Sequence, residues 1–241
     1  MIYCFNGVNI HFKQSKIGDG AVNVFLHGWG RCEKDFEKIA KQTGKNYLLV
    51  DLPPFGLSDK IKDWTIYTYS NMVLCLLRHL KINKCNLIGH SFGGRIAIII
   101  AGMEKDLVEK LVLVSSAGMK PKRTLKHHLK VLKYKFRKKM GLSTKNYGSQ
   151  DYKNLDDDMK KVFNSVVNSF LEENAKLITS KTLIIFGEND IETPIYMAKR
   201  LNKLISNSKL VLMENCGHFC FLERPILFCQ YLTKFLREEV V

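Results

Sequence analysis

Leu87-Ile88-Gly89-His90-Ser91-Phe92-Gly93-Gly94-Arg95 decides how this chain is read. Before it, the short apolar run Cys85 to Ile88 has the character of a buried strand. After it, Arg95-Ile96-Ala97-Ile98-Ile99-Ile100-Ala101 is long and apolar enough for a buried helix. Between the two sits Gly-x-Ser-x-Gly, the pattern of a nucleophile elbow. A serine on so sharp a strand-to-helix turn takes a strained backbone with its hydroxyl pointing off the sheet. Glycines two before and two after remove the Cβ atoms that would clash there. With Gly and Ser each near 7% of residues, a chain of this length holds about 0.08 such patterns by chance. The flanking strand and helix lower that figure further.

The chain has 241 residues, 46% of them hydrophobic, enough for one large α/β domain with an insertion. No apolar run reaches 18 residues, so no membrane-spanning helix is expected. Met1 to Gly7 lacks a basic region followed by an apolar one, so a secretory signal is not expected either. Seven cysteines, an odd number without metal-type spacing, suit a reducing cytoplasm and free, mostly buried thiols. Cys216-x-x-x-Cys220 does not read as a zinc pair. No metal and no cofactor are expected.

In chain order, Ile2–Phe5 and Val8–Lys13, joined through Asn6-Gly7, read as a hairpin at the antiparallel edge of a sheet. Strands are expected at 21–26, 47–50, 85–88, 111–114, 183–186 and 210–213. Helices are expected at 32–41, 67–80, 194–204 and 225–236. Alternating strands and helices imply a mostly parallel, twisted sheet of about eight strands covered on both faces. Sites in such sheets lie at the carboxyl ends of the strands. His27, Ser91, Asp190 and His218 each follow an apolar strand by a few residues. The expected organisation is a core of residues 1–118 and 181–241, interrupted by an inserted basic helical lid at 119–180.

A serine hydroxyl is a poor nucleophile at neutral pH; it needs a base, and the base needs an orienting acid. The order Ser91, Asp190, His218 supplies nucleophile, acid and base. Glu188 or Glu192 are the alternative acids. Asp51, beside two prolines, reads as a turn cap.

Four motifs together resemble the α/β-hydrolase superfamily, in its compact serine-hydrolase, carboxylesterase-like branch. They are His27-Gly28-Trp29-Gly30, Gly89-His90-Ser91-Phe92-Gly93, Gly187-Glu188-Asn189-Asp190 and Gly217-His218. The resemblance spans about residues 2–118 and 181–238. It implies an oxyanion hole from the backbone N–H groups of Trp29 and Phe92. Pro54 stands where the resemblance leads one to expect glycine. Arg95 has two readings, a structural ion pair or, as in some relatives, a clamp on a substrate carboxylate. His27 reads as structural, His90 as packed, and His127 and His128 as solvated.

Net charge is +15, and residues 119–150 hold 11 Lys/Arg with no Asp/Glu. Leu125, Leu129, Leu132, Phe136 and Met140 form one apolar stripe at helical spacing. The bland reading is a lid helix over the site with its charges in water. The sharper one is attraction to an anionic membrane surface or anionic substrate. No motif supports nucleic-acid binding. Asp156-Asp157-Asp158 reads as the start of the next helix.

The leading expectation is hydrolysis of a carboxylic ester of a small or medium apolar substrate through an acyl-enzyme on Ser91. The alternatives are a C–C bond hydrolase or lyase acting on a carboxylate-bearing substrate, an acyltransferase, and a non-catalytic small-ligand receptor.

Overall fold

The computed structural model describes residues 1–15, 18, 20–44, 46–122, 140 and 150–238. Its centre is one eight-stranded sheet of order β1-β2-β4-β3-β5-β6-β7-β8. The strands are β1 (Ile2–Phe5), β2 (Val8–Gln14), β3 (Val22–Leu26), β4 (Tyr47–Val50), β5 (Cys85–His90), β6 (Val108–Val114), β7 (Lys181–Gly187) and β8 (Ser208–Met213). β2 runs antiparallel to both β1 and β4, and every pairing from β4 to β8 is parallel. The expected edge hairpin and mostly parallel sheet are therefore present.

Helices cover both faces. They are α1 (Lys34–Thr43), α2 (Ile66–His79), α3 (Phe92–Met103), α4 (Gln150–Lys153), α5 (Asp157–Val167), α6 (Glu172–Lys176), α7 (Ile195–Leu204), α8 (Cys220–Glu223) and α9 (Pro225–Arg237). Side chains alternate across a strand, so each central strand feeds two cores. Val24, Leu48, Leu87, Leu111, Leu113 and Ile184 face α2, α3 and α7. Phe25, Leu49, Ile88, Val112 and Ile185 face α1 and α9. Burial on both faces is why these strands are continuous apolar runs rather than alternating ones.

From β3 the chain turns to β4 on one side, and from α2 it returns to β5 on the other. Loops leaving β3 and β5 diverge there, which opens a crevice at the carboxyl ends of these two neighbours. Trp29 and Ser91 stand on those two loops.

The expected lid helix, with Leu125, Leu129, Leu132 and Phe136, His127 and His128 and most of the basic residues, lies outside the described residues. Met140, from the same stripe, is exposed. Within 150–180, Asp156 caps α5 as the acidic cluster suggested, its side chain accepting from Met159 N at 2.8 Å. Met159, Val162, Val166, Leu171, Ala175 and Ile178 are buried in the same core as α2 and α3. No described helix is long and apolar enough to cross a membrane. All seven cysteines are free; only Cys85, Cys216 and Cys220 are buried, fewer than expected.

Candidate active site

Ser91 sits between β5 and α3 with φ 49° and ψ −103°. Non-glycine residues rarely adopt this conformation, and it persists only where the surroundings hold it. They do so by close approach. A Cβ on Gly89 would lie 2.5 Å from Gly93 O, and one on Gly93 would lie 2.2 Å from Leu26 O. Ser91 N donates to Val114 O at 3.0 Å, and Ala117 N donates to Ser91 O at 3.2 Å, tying the turn to the end of β6. Ser91 is partly exposed, whereas the eleven residues that follow it in α3 are buried.

His218 follows β8, and Asp190 follows β7. Their side chains meet, with His218 Nδ1 2.9 Å from Asp190 Oδ2. Both residues are buried. Asp190 Oδ1 accepts from Glu192 N at 3.0 Å and Thr193 N at 2.9 Å. The Thr193 hydroxyl has one proton and two acceptors in reach, Asp190 Oδ2 at 2.7 Å and Ser115 O at 3.1 Å. Burial alone pushes the Asp190 carboxyl up, but the hydrogen bonds from His218 and Thr193 outweigh it and hold it below the ordinary value. A carboxylate acceptor at Nδ1 calls for the proton there, which leaves Nε2 of a neutral ring as the basic nitrogen. Of the alternative acids, Glu192 touches the other nitrogen, its Oε2 3.4 Å from His218 Nε2. Glu188 is exposed and meets neither nitrogen. Ser91 Oγ makes no hydrogen bond to a described residue. Catalytic contacts are often loose before substrate arrives.

His90 joins the two halves of this arrangement. Its Nε2 lies 3.0 Å from His218 O, so it carries the proton that the carbonyl accepts. The rings of His90 and His218 are 4.8 Å apart. Burial pushes His90 down to about 3, so it stays neutral. A Cβ on Gly28 would come within 2.7 Å of His90 Nδ1, which is why Gly28 tolerates no side chain beside it. His90 is packed, as its place in the sequence suggested.

The loop after β3 is held by His27. Its Nδ1 donates to Gly28 O at 2.7 Å, and its Nε2 accepts from Leu52 N at 2.8 Å. Burial lowers its pKa, which favours the neutral ring this pattern needs. Gly93 N donates to His27 O at 3.1 Å and fastens the loop to α3. Among the described residues, neither the Trp29 nor the Phe92 backbone N–H has a protein acceptor. The Trp29 ring meets Phe55, Phe92 and Phe163 edge-on at 5.1, 5.3 and 5.0 Å. Phe163, on α5, extends the wall of the crevice, and nothing in its local sequence announced that.

Arg95 is 8% exposed. Its Nη1 donates to Ser169 O at 2.6 Å and its Nη2 to Val167 O at 3.4 Å, at the C-terminal end of α5. Burial pushes the guanidinium down to about 10, against the favourable charge of Glu172. A cation at a helix C-terminus opposes the negative end of its dipole.

Among the described residues, one group of side chains has metal-type proximity, His11, Glu33 and Asp51, whose ligand atoms lie within 4.8 Å of one another. Apart from Glu33 Oε2, which is buried without a partner among the described residues, the carboxylate oxygens are already engaged. His11 Nδ1 meets Asp51 Oδ2 at 2.7 Å, Asp51 Oδ1 accepts from Glu33 N, and Glu33 Oε1 pairs with Lys13 Nζ at 2.9 Å. Asp51 Oδ2 also accepts from Leu57 N, so this residue braces the proline turn as expected.

A largely parallel sheet, helices on both faces and a serine on a left-handed strand-to-helix turn define an α/β-hydrolase fold. The chain belongs to that family: the family model for the alpha/beta hydrolase fold matches residues 24–141 and 117–225. The uncharacterized hydrolase YugF of Bacillus subtilis is 26% identical over 266 residues, covering 98% of this chain and 97% of that one. The sn-1-specific diacylglycerol lipase of Danio rerio is 40% identical over 101 residues, 40% of this chain and 32% of its own. Among solved structures, the α/β hydrolase MGS-M2 from a deep-sea metagenome library superposes with a TM-score of 0.81 at 22% identity, covering 100% and 98% of the two chains. The esterase EaEST from Exiguobacterium antarcticum gives 0.77 at 23%, covering 98% of each. At these identities the structural likenesses speak for the fold. The family and its esterase- and lipase-like members make this chain a hydrolase-family protein for which ester hydrolysis fits.

Proposed function

We propose that the protein is a serine hydrolase that cleaves carboxylic esters of small or medium apolar substrates through an acyl-enzyme on Ser91. In this reading His218 Nε2 takes the Ser91 proton as Oγ bonds to the ester carbonyl carbon. The carbonyl oxygen becomes an oxyanion facing the unpartnered N–H groups of Trp29 and Phe92. The intermediate collapses by breaking the bond to the alcohol oxygen, which leaves with the proton from His218. Water then attacks the acyl-enzyme, His218 taking its proton and returning it to Ser91 Oγ. Asp190 holds the tautomer and steadies the imidazolium.

One observation carries the reading: a 2.9 Å Asp190–His218 pair whose histidine backbone is bonded to the residue just before a left-handed Ser91. The names of the relatives agree with it. The aromatic wall of Trp29, Phe55, Phe92 and Phe163 suits an apolar acyl or alcohol part. In this reading the segment around α5, whose Phe163 lies against Trp29, covers the crevice as a lid. A carboxylate-reading role for Arg95 would require its guanidinium to release the carbonyls of Ser169 and Val167, so the ester reading stands ahead of the C–C one.

The test is hydrolysis of p-nitrophenyl esters from acetate to palmitate by the wild type and Ser91→Ala. Turnover should fall by about 10⁴ or more in the variant, and the chain-length optimum measures the apolar wall. Turnover retained in Ser91→Ala would overturn the proposal.

A further inference from the structure

We propose that Glu192 is a specificity-determining residue that makes the site favour esters whose alcohol part is cationic and disfavour those whose alcohol part is anionic. The inference rests on the serine-hydrolase reading above. His218 is held between two carboxylates, Asp190 Oδ2 at Nδ1, 2.9 Å away, and Glu192 Oε2 at Nε2, 3.4 Å away. Asp190 is the orienting acid. Glu192 stands instead at the nitrogen that hands a proton to the departing alcohol. The oxygen of that alcohol must come within hydrogen-bond reach of Nε2, about 3 Å. It therefore lies within roughly 6 Å of the Glu192 carboxylate, and the rest of the alcohol part begins there.

The backbone that carries Glu192 is held in place. Glu192 N and Thr193 N both donate to Asp190 Oδ1, so the acid that orients His218 also shapes the turn that carries Glu192. Among the described residues Glu192 has no lysine or arginine partner, and Arg31, whose guanidinium lies over the Phe219 ring, is bound by Asp35 at 2.6 and 2.7 Å. The side chain is 59% exposed, so water screens it. A screened charge of this kind shifts selectivity by roughly 1.5- to 5-fold.

The experiment compares a choline ester with its 3,3-dimethylbutyl counterpart, the same shape with carbon in place of the charged nitrogen. The acyl group is the one preferred in the p-nitrophenyl series. Wild type and Glu192→Gln are assayed at low and high salt, with thermal unfolding to show that the variant folds. In wild type the ratio of kcat/KM, choline over dimethylbutyl, should exceed that of Glu192→Gln by roughly 1.5- to 5-fold at low salt, and the difference should shrink at high salt. Moving the trimethylammonium group to the far end of the acyl chain should remove the dependence on Glu192. Equal ratios in the two proteins, with turnover that depends on Ser91, would overturn the Glu192 assignment alone. Turnover that survives Ser91→Ala, or none on any ester, would overturn the serine-hydrolase reading and this assignment with it.

Discussion

Replacing Gly93 by alanine sets two effects of opposite sign against each other. Gly93 lies in the first turn of α3, where exchanging glycine for alanine ordinarily stabilises a helix by about 0.5–1 kcal/mol. Here the new Cβ would stand 2.2 Å from Leu26 O, 2.6 Å from Leu26 C and 2.7 Å from His27 O. All three are backbone atoms of β3 and the loop it leads into, so no flexible side chain can move aside. The shortest contact falls roughly 1.3 Å below the ~3.5 Å of ordinary packing. Relieving it means pushing α3 away from the centre of the sheet, and overpacking of this sort costs about 1–3 kcal/mol. The same movement stretches the 3.1 Å bond from Gly93 N to His27 O, worth about 0.5–1.5 kcal/mol. The steric and hydrogen-bond losses exceed the helical gain, leaving a net loss of about 2 kcal/mol. For a domain of this size that lowers Tm by about 4–8 °C. Differential scanning calorimetry of wild type and Gly93→Ala reads this directly. An unchanged or raised Tm would show that β3 and α3 can separate freely and would refute the argument that close approach dictates this glycine. Ester turnover should fall with stability, because Ser91 is braced from the same turn.

Thr193→Val tests what keeps Asp190 ionised. The Asp190 carboxyl is held below its ordinary value, so the stability it contributes is fully present above that ordinary value and lost as pH falls through the lowered one. Removing the 2.7 Å hydroxyl contact should cost about 1–2 kcal/mol at pH 7 and clearly less at pH 3, read from urea unfolding midpoints. An equal deficit at both pH values would refute it. The thiols should divide by burial: a disulfide reagent should label exposed Cys4 in the native protein, while Cys85 and Cys220, pushed up to about 12 by burial, react only on unfolding. Rapid native labelling of Cys85 or Cys220 would show that the core opens more readily than its packing implies.

Much of the fold was legible because its signals are local. The strands were readable as apolar runs, since burial on both faces leaves no room for polar alternation. The turn at Ser91 was readable because two glycines mark where backbones touch. His27 and Asp51 were readable as braces because each follows a strand and must satisfy loop N–H groups. Other features left no local trace. Arg95 could be narrowed to an ion pair or a substrate clamp, yet its partners are main-chain carbonyls 72 and 74 residues away. Carbonyls are the same in every residue, so no side-chain pattern points to them. Phe163 looks like any apolar position of an amphipathic helix until α5 is packed against Trp29. Thr193 had a weak signal, a hydroxyl three residues after an aspartate and just before a proline, which is the arrangement of a turn closed on its own carboxylate.

The acids beside His218 mark the division most clearly. Sequence order and strand-end position brought Glu188, Asp190 and Glu192 to the same turn and His218 to the next strand end. They also fixed the family to which the chain belongs. Which carboxylate meets which ring nitrogen depended on the direction of the turn after β7 and the rotation of one imidazole. Asp190 reaches Nδ1 and Glu192 reaches Nε2 across intervals of 28 and 26 residues. Local sequence sets backbone propensity and burial over a few residues, whereas a contact at hydrogen-bond distance between separate loops is set by how β7, β8 and their helices pack. That packing is a property of the whole sheet.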